Sequence, residues 1–477
     1  MQNGFESISE NSDTSFDHYA IYDKDSEPED DYGKGGFMKI SINTVVAGRY
    51  EIVQKIGWGH GGIVYLCKDK TSNTYKAMKI VKSHSYYRQE FKDEARILEK
   101  ISGSLENRYA VELLEHFKIE GKNEDHTCAI YELLGVSLYE ILKCYSFKGL
   151  PIQLCKFIAK EILKALSYFH NDVGIIVGDL RLKNILLPLT GAQKANLAEK
   201  GIIEQKLDCA VFKHTETPYS VLNKALGCNF QVENTVKPKG AKGKKGKKTG
   251  SSRDVLKKLN RIGLINEEFL IKFINLSSAS EISSRCIRDC PTLHYKSPEA
   301  VLSTGYTPTI DIWSFGCILF ELITGFCLFE PLKGKYFRKE DDLLAQMTEI
   351  FGEIPEEIVR KSPVADKYFN ENAKIKNVNM LRFWPIKYLL IERYGIVPEE
   401  AEPLAEFLKF VMNYDYEKRP SAVQVLEHPW LKMKSREESR VSKEKMRELE
   451  NMIKMREFAY WETCLRGDEY VFVSNYK

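Results

Sequence analysis

The residues with the clearest chemical potential are a carboxylate and an amide five positions apart, Asp179 and Asn184. They follow a β-branched run ending at Gly178, in the stretch V-G-I-I-V-G-D-L-R-L-K-N. An apolar run that stops at a glycine predicts a strand followed by a turn. The two side chains could then direct two oxygen ligands, of the kind that hard cations take, into one cleft. An ordinary Asx turn explains the same spacing.

A second group of residues could approach phosphate. The stretch I-G-W-G-H-G-G-I-V-Y-L places Gly57, Gly59 and Gly62 in a G-x-G-x-x-G arrangement followed by Val64. Positions without side chains let backbone N–H groups come close to phosphate oxygens. The pattern also fits a plain hairpin turn, and no βαβ pattern follows that would indicate a dinucleotide fold.

Two charged residues follow on elements with regular spacing. Y-K-A-M-K-I-V-K is typical of a strand and carries Ala77 and Lys79. E-F-K-D-E-A-R-I-L-E-K-I has apolar residues at helical spacing and carries Glu94. Taken alone, Glu94 also fits a solvated helix face.

The elements that would position these residues run in a regular order. Residues 33–56 alternate and pause at glycines, which predicts antiparallel strands joined by turns. C-A-I-Y-E-L-L-G and S-L-Y-E-I-L-K predict a strand, a hinge and a helix. Further helices are predicted from Pro151 to His170 and across D-I-W-S-F-G-C-I-L-F-E-L-I-T-G, with a strand pair in F-L-I-K-F-I-N-L-S-S-A-S between them.

The amino-acid composition limits the classes of protein to which this chain could belong. The chain has 477 residues, 43% hydrophobic and 29% charged, which is typical of a soluble globular protein with room for two lobes. Eleven cysteines without C-x-x-C spacing indicate a reducing compartment. The first residues lack the basic and apolar regions of a secretion signal. The most apolar stretch, residues 310–329, contains charged residues and predicts a core helix rather than a membrane span.

Charge is unevenly distributed along the chain. The formal net charge of +3 predicts no partner, but residues 1–32 are acidic, whereas Lys237 to Lys248 is almost purely basic. The basic tract ends a stretch, residues 189–268, in which regularity fades and which predicts a flexible insert. Its charge suggests contact with nucleic acid, an acidic protein or nuclear import factors, and a solvated tract is the alternative.

The order of these features resembles a protein kinase over residues 50–431, and more narrowly the SR-protein kinases. The resemblance is carried by Y-G-K-G-G-F before G-R-Y, the G-W-G-H glycine loop, M-K-I-V-K-S, the L-G of the hinge, the insert and T-G-F-C-L-F-E-P. It implies an α+β bilobal protein kinase fold, with an antiparallel small lobe, a mainly helical large lobe and a disordered insert. The implied domains are an acidic disordered tail at 1–32, the small lobe at 33–132, the large lobe at 133–188 and 269–431, the insert at 189–268 and a charged helical tail at 432–477.

The resemblance also implies roles for single residues. Asp179 would accept the substrate hydroxyl proton, Asn184 would hold a magnesium ion, and Lys79, paired with Glu94, would contact the α- and β-phosphates of ATP. Tyr131 falls at the gatekeeper position beside the adenine site. The implied ATP-binding residues are Gly57, Gly59, Gly62, Val64, Ala77, Lys79, Glu94, Glu132 and Leu134, the last two through their backbone groups.

Three further residues match structural positions of kinases. Glu299, at the end of Y-K-S-P-E, matches a glutamate that pairs with a buried arginine, for which Arg419 is the candidate. Asp311 would accept hydrogen bonds from the backbone of the catalytic loop.

Several positions depart from the family pattern. Asn275 replaces the aspartate of the metal-binding triplet, so Asn184 and Asn275 would hold magnesium, or manganese, without a charged ligand. Val177 replaces the histidine of the catalytic loop. Arg181 stands where a lysine contacts the transferred phosphate and keeps its charge in a planar group. Leu293 replaces an arginine of the substrate-facing loop.

The substrates of the resembled family are basic, and an acidic docking groove would suit them. Asp342 and Glu349 lie seven residues apart on a helix predicted to begin near Lys339, hence on one face, and match the family's docking acids. Asp342 could instead favour the helix dipole. Phe326 stands where relatives carry another acid, which predicts a weaker groove.

The function implied is transfer of the ATP γ-phosphate to serines in Arg/Ser-rich proteins linked to RNA processing. The alternative is a catalytically silent pseudokinase that serves as a docking scaffold for the same proteins. A third hypothesis makes the basic insert an RNA- or chromatin-binding arm. We expect a monomer that does not associate with membranes and resides in the cytoplasm, the nucleus or both.

Overall fold

A computed structural model describes residues 27–103, 107–121, 124–145, 147–189, 197, 199, 201, 270–284, 292–378 and 381–432. The N-terminal tail before residue 27, the basic tract and the C-terminal tail from residue 433 lie outside the described residues. The strands are β1 (Val45–Val46), β2 (Tyr50–Gly59), β3 (Gly62–Asp69), β4 (Thr74–Val81), β5 (Leu113–Ile119), β6 (His126–Tyr131), β7 (Ile175–Ile176), β8 (Ile185–Leu186), β9 (Lys272–Phe273) and β10 (Ser280–Glu281). The helices are α1 (Ser85–Ser102), α2 (Leu138–Cys144), α3 (Ile152–Ser167), α4 (Pro298–Leu302), α5 (Thr309–Thr324), α6 (Lys339–Phe351), α7 (Glu356–Arg360), α8 (Ala365–Tyr368), α9 (Ile386–Glu392), α10 (Pro398–Val411), α11 (Ala422–Leu426) and α12 (Pro429–Lys432).

The N-terminal part is an antiparallel sheet with strand order β1-β2-β3-β4-β6-β5, against which α1 packs. Its strands alternate as the sequence pattern predicts. In β3, Ile63, Tyr65 and Cys67 are buried in the core on one face, and Val64 and Leu66 lie on the other. The C-terminal part is helical, so the predicted α+β fold with an antiparallel small lobe is confirmed.

Residues 33–44 differ from the prediction, because the first strand begins only at Val45. Instead, the segment crosses the start of α1. Gly35 has φ +77°, and the backbone oxygens of Gly35 and Gly36 accept hydrogen bonds from His84 and Ser83, both at 3.1 Å. These contacts bring Phe37 into the core of the sheet. The glycine-punctuated alternation thus reflects a segment that packs Phe37, Met38 and Ile40 against the sheet. It meets β2 only at its end, where the Asn43 N–H donates to the Ile52 oxygen at 2.7 Å.

The large lobe is built around α5, in which every residue from Ile310 to Thr324 is buried. The apolar stretch therefore forms a core helix, as predicted. No helix within the described ranges is both long and apolar enough to cross a bilayer. The predicted helix from Pro151 to His170 is α3, and a π-helical turn, Tyr168–Val173, continues it to Gly174 at φ +75°.

Two short strand pairs hold the loop that carries Asp179 and Asn184. β7 pairs with β10 on one side of the loop, and β8 pairs with β9 on the other. The predicted strand pair after residue 269 is therefore corrected: β9 and β10 exist, but each pairs with a strand flanking the loop rather than with the other. β7 and β8 precede the insert, and their partners β10 and β9 follow it. The two ends of the insert therefore join the chain near this loop.

One described part of the predicted insert packs against the small lobe. Leu197 is buried beside Leu66 of β3, and Tyr75, Leu133 and Leu189 pack against the same cluster. Structured packing therefore continues beyond the predicted start of the insert at residue 189.

Candidate active site

The loop between β7 and β8 is held by a carboxylate of the core helix. Asp311 accepts backbone hydrogen bonds from Val177 at 2.8 Å and Gly178 at 2.9 Å, and its Oδ2 lies 2.9 Å from His170 Nε2. Gly178 has φ +80°, and a Cβ there would lie 2.7 Å from the backbone oxygen of Ser278. Glycine is therefore required where the strand turns into the loop.

Asp179, Arg181 and Asn184 are brought together in this loop. Asn184 Nδ2 donates to the backbone oxygen of Asp179 at 3.0 Å and to its Oδ2 at 3.1 Å, and Arg181 Nε lies 3.2 Å from the same Oδ2. Asp179 Oδ1 is buried and has no hydrogen-bond partner among the described residues. Since the amide nitrogen of Asn184 faces Asp179, its amide oxygen faces away and can take a ligand. The loop thus presents one carboxylate oxygen and one amide oxygen.

Lys79 and Glu94 form an ion pair of 2.8 Å between β4 and α1. The Glu94 side chain is 2% exposed and the Lys79 side chain 18%. In the sheet register, Gly57, Val64 and Lys79 lie side by side on β2, β3 and β4. The Lys79 residue therefore lies in the same row of the sheet as Gly57, where the glycine-rich hairpin starts.

The three predicted phosphate-loop glycines have different surroundings. A Cβ at Gly62 would lie 2.5 Å from the backbone oxygen of Ile80, so this glycine is required by strand packing. A Cβ at Gly57 or Gly59 would meet no described atom within 4 Å. Only these two leave space beside the backbone that a bound group could use.

The predicted adenine-contacting segment lies between the lobes. Ala77 pairs in register with Tyr131, whose buried hydroxyl has no partner among the described residues. The Glu132 carboxylate accepts hydrogen bonds from Lys272 and from the Glu112 backbone, so it is engaged by the protein. Leu134 packs against the main core. The Glu132 backbone N–H is engaged as well, since it donates to the Glu112 oxygen at 3.1 Å.

Asn275 lies next to Asn184 across the β8–β9 pair. The Ile274 N–H donates to the Asn184 backbone oxygen at 3.0 Å, and Asn275 follows with φ +58° and ψ +54°. Asparagine and aspartate are the side chains that tolerate this left-handed conformation best. The buried side chain of Leu276 fixes the next turn in the core, and α1 packs on that turn. Asn184 and Asn275, both neutral amides, therefore lie on adjoining segments.

Glu299 and Arg419 lie in contact under the large lobe, as a fully buried bidentate pair with Nη–Oε distances of 2.5 and 2.8 Å. Arg419 also donates to the backbone oxygens of Thr309 and Asn413. The pair joins α4 to the start of α5 and to the chain before α11, and so holds the segment that carries Glu299.

Most of the chain is similar to known protein kinases. The family model of the protein kinase domain matches residues 50–201 and 253–431. The serine/threonine-protein kinase SRPK of Physarum polycephalum is 34% identical over 416 residues, which cover 86% of this chain and 92% of that protein. The chain belongs to the SR-protein kinase family. Protein kinase dsk1 of Schizosaccharomyces pombe is 27% identical, with 85% of each chain covered, and human SRSF protein kinase 3 is 26% identical, with 86% and 91% covered. The predicted family is thereby confirmed.

In this SR-protein kinase the two predicted docking acids are buried on α6. Asp342 Oδ2 accepts hydrogen bonds from the Leu332 backbone and from Gln346, both at 2.8 Å, and Glu349 Oε1 accepts one from the Arg382 backbone at 2.8 Å. Burial raises the pKa of both carboxyl groups. Asp342 lies in the first turn of α6, where a carboxylate also interacts favourably with the helix dipole, and Asp341 caps the helix through the Arg338 backbone. Both carboxylates therefore hold the backbone of adjoining loops, and their docking role stays a prediction.

The remaining departures lie around these elements. Phe326 is 50% exposed, and its ring is 5.9 Å from that of Tyr394. Val177 is buried in the core below the loop. Leu293 packs at the edge of the same core, and Arg181 Nη1 reaches the Thr292 hydroxyl at 3.5 Å.

Sequence reasoning missed His170, which the structure places against Asp311. Its position at the end of an apolar helix matches no spacing motif, and a histidine there fits an ordinary core residue equally well. The contact exists because α3 and α5 pack together, which the sequence pattern does not indicate. His170 thus supplies a ring nitrogen to Asp311 although Val177 replaces the loop histidine.

Proposed function

We propose that this SR-protein kinase transfers the γ-phosphate of ATP to serine hydroxyls of Arg/Ser-rich proteins. The observation that carries the proposal is the buried Oδ1 of Asp179, which has no partner in the described part of the chain, together with the Asn184 amide, whose oxygen faces away from Asp179. The similar proteins in Physarum polycephalum and Homo sapiens are named as a serine/threonine-protein kinase and an SRSF protein kinase. Their names support the substrate class.

The proposed role of Asp179 is that of a general base. Its Oδ1 accepts the serine proton while the serine oxygen bonds to the γ-phosphorus, and the bond from that phosphorus to the departing ADP oxygen breaks. Arg181, held against Asp179 Oδ2 at 3.2 Å, places a positive charge beside the reacting groups. Lys79, oriented by Glu94, holds the α- and β-phosphates.

The metal ligands proposed are the amide oxygens of Asn184 and Asn275. They fit a hard cation because both are oxygen donors on adjoining segments, and the Asn184 nitrogen is already occupied by Asp179. A bound magnesium or manganese ion supplies charge neutralisation to the phosphates. Because neither amide carries a charge, we expect a rate lower by about 10²–10³ than with an aspartate at position 275.

A silent scaffold is the second candidate function, and Asn275 favours it. At φ +58° an aspartate is tolerated as well as an asparagine, so the backbone does not explain the missing charge. In this alternative the large lobe would bind Arg/Ser-rich proteins without phosphorylating them. The Lys79 and Asp179 side chains would then serve nucleotide binding or folding.

The deciding experiment is transfer of labelled γ-phosphate to an Arg-Ser repeat peptide with magnesium or manganese. Wild type is compared with Asn275→Asp and Asp179→Ala. Turnover that disappears in Asp179→Ala supports the kinase. Absent turnover in wild type, together with activity gained in Asn275→Asp, supports the scaffold. A magnesium-independent shift of the melting temperature by ATP would show whether the silent form still binds nucleotide.

A further inference from the structure

The tip of the glycine-rich hairpin rests on helix α1. His60 Nε2 lies 3.5 Å from Glu90 Oε2, and the His60 ring meets the Tyr87 ring edge-on with centroids 5.7 Å apart. The backbone oxygen of Gly61 accepts a hydrogen bond of 3.0 Å from Lys82 at the end of β4. The tip is therefore attached both to the sheet and to the helix.

The same helix holds the strand lysine one turn further on. Glu90 and Glu94 are four residues apart and share one face of α1. Glu94 binds Lys79 at 2.8 Å, while Glu90 meets His60. A displacement of α1 would thus move the ammonium group and the hairpin tip together.

The charge on Glu90 suits this contact. Burial alone would raise the pKa of Glu90, but the hydrogen bond and charge of His60, with help from Tyr86 and Lys79, bring it below its ordinary value. The carboxylate is then ionised at neutral pH and interacts with the His60 ring nitrogen 3.5 Å away. The two side chains are 35% and 25% exposed, so the contact is of modest strength and sensitive to salt.

We infer that His60 is a positioning residue, which acts through Glu90 to hold the glycine-rich hairpin and helix α1 in one arrangement and so sets the affinity for nucleotide. The inference rests on the proposed function for its nucleotide readout. The contact between His60 and Glu90 is expected to affect nucleotide binding, because Gly57 and Lys79 lie in one row across β2, β3 and β4. The hairpin and the lysine would meet the same phosphate chain.

The test uses the full chain with His60→Ala, Glu90→Ala, the double variant and His60→Gln, whose amide can donate from the position of Nε2. Glu99→Ala is the matched control, since Glu99 is an exposed acid on the opposite face of α1. ATP affinity is measured by calorimetry, and KM and kcat are measured separately. We expect His60→Ala and Glu90→Ala each to weaken ATP binding and raise KM by about two- to fivefold, with kcat less affected. The double variant should be no weaker than either single one, and His60→Gln should recover most of the affinity.

A second readout does not depend on nucleotide. Hydrogen exchange of the backbone amides at residues 57–62 and 85–95 is followed in the ligand-free protein, and we expect faster exchange in both segments for His60→Ala but not for Glu99→Ala. If wild type fails to bind ATP, the proposed function fails, while exchange still tests the link. If wild type binds ATP and His60→Ala changes neither exchange in 85–95 nor affinity, the inference is overturned. Additive losses in the double variant would also overturn it.

Discussion

Asn184 donates its side-chain amide to Asp179 twice, at 3.0 Å to the backbone oxygen and 3.1 Å to Oδ2. The two residues predicted from their spacing are thus direct partners. This contact orients the amide oxygen away from Asp179, while Oδ1 of the carboxylate has no partner among the residues that the structure describes.

Asn184→Asp should damage both the loop and the activity. A second carboxylate would face Asp179 and lose both donated hydrogen bonds, so we expect about 1–3 kcal/mol less stability at neutral pH. Phosphate transfer should fall by about 10² or more, because the base and the metal ligand would no longer be oriented. Denaturant unfolding and the transfer assay check the two effects. An Asn184→Asp protein as stable as wild type would contradict the structural role of this amide.

Substitutions at Asn275 should separate backbone strain from metal chemistry. At φ +58° alanine is strained, so Asn275→Ala should lose about 1 kcal/mol of stability, whereas Asn275→Asp should remain close to wild type. Asn275→Gly, which accepts this backbone without strain, is the control. Denaturant midpoints without added metal provide the measurement. Equal midpoints for the alanine and glycine variants would argue against strain at this position.

Arg419→Met should be strongly destabilising. It would leave the Glu299 carboxylate buried without its partner, and breaking such a pair costs about 3–5 kcal/mol. Arg419→Met combined with Glu299→Gln should recover part of that loss, since the double variant leaves no buried charge. Chemical denaturation of the two variants gives the comparison. A double variant less stable than Arg419→Met would show that the loss does not come from the unpaired carboxylate.

His294 predicts a loss of stability in mild acid. Burial, with the charges of Lys339 and Arg181, lowers its pKa to about 4. Because the unfolded histidine titrates near 6.5, the unfolded state takes up its proton first as pH falls. Stability should therefore fall between about pH 6.5 and 4, by about 1–2 kcal/mol at pH 5. His294→Gln should flatten this part of the unfolding profile, and an unchanged profile would assign the acid sensitivity to other groups.

Asp342→Ala should loosen the segment before α6. The Leu332 N–H and the Gln346 amide would lose their acceptor, and we expect about 1–3 kcal/mol less stability. Glu353→Ala is a control at an exposed acid beyond the same helix. Unfolding curves should be recorded beside the affinity for an Arg-Ser repeat peptide. Lost affinity at full stability would mean that Asp342 contacts the peptide directly, and lost stability would mean that it acts through the loop.

The sequence predicted the parts of the site that depend on local order. Lys79 lies on a strand and Glu94 on the following helix, and both elements have clear periodicity. Asp179 and Asn184 share one short loop. Such residues keep their relative positions whenever the surrounding elements form, so their spacing alone carried much of the information.

Contacts between distant segments could not be predicted in the same way. His170 and Asp311 meet only because α3 packs on α5, and His60 meets Glu90 only because the hairpin bends onto α1. The burial of Asp342 depends on the loop that covers it. No periodicity encodes these approaches. The prediction of a strand from residue 33 was wrong for a related reason. Glycine is favoured both in turns between strands and where two segments pack closely, so the glycines before Phe37 did not distinguish the two.

Asp311 binds the backbone of the loop rather than its side chains, so its contacts are compatible with sequence changes in the loop. Its oxygens bind the N–H groups of Val177 and Gly178, which every residue except proline possesses, and the third contact comes from His170 on another helix. Side chains in the loop other than at Gly178 can therefore change while Asp311 preserves the path of the loop backbone. A relative whose loop sequence has changed would therefore be recognised more reliably by an aspartate at the position of Asp311, at the start of a buried helix, than by the sequence of the loop.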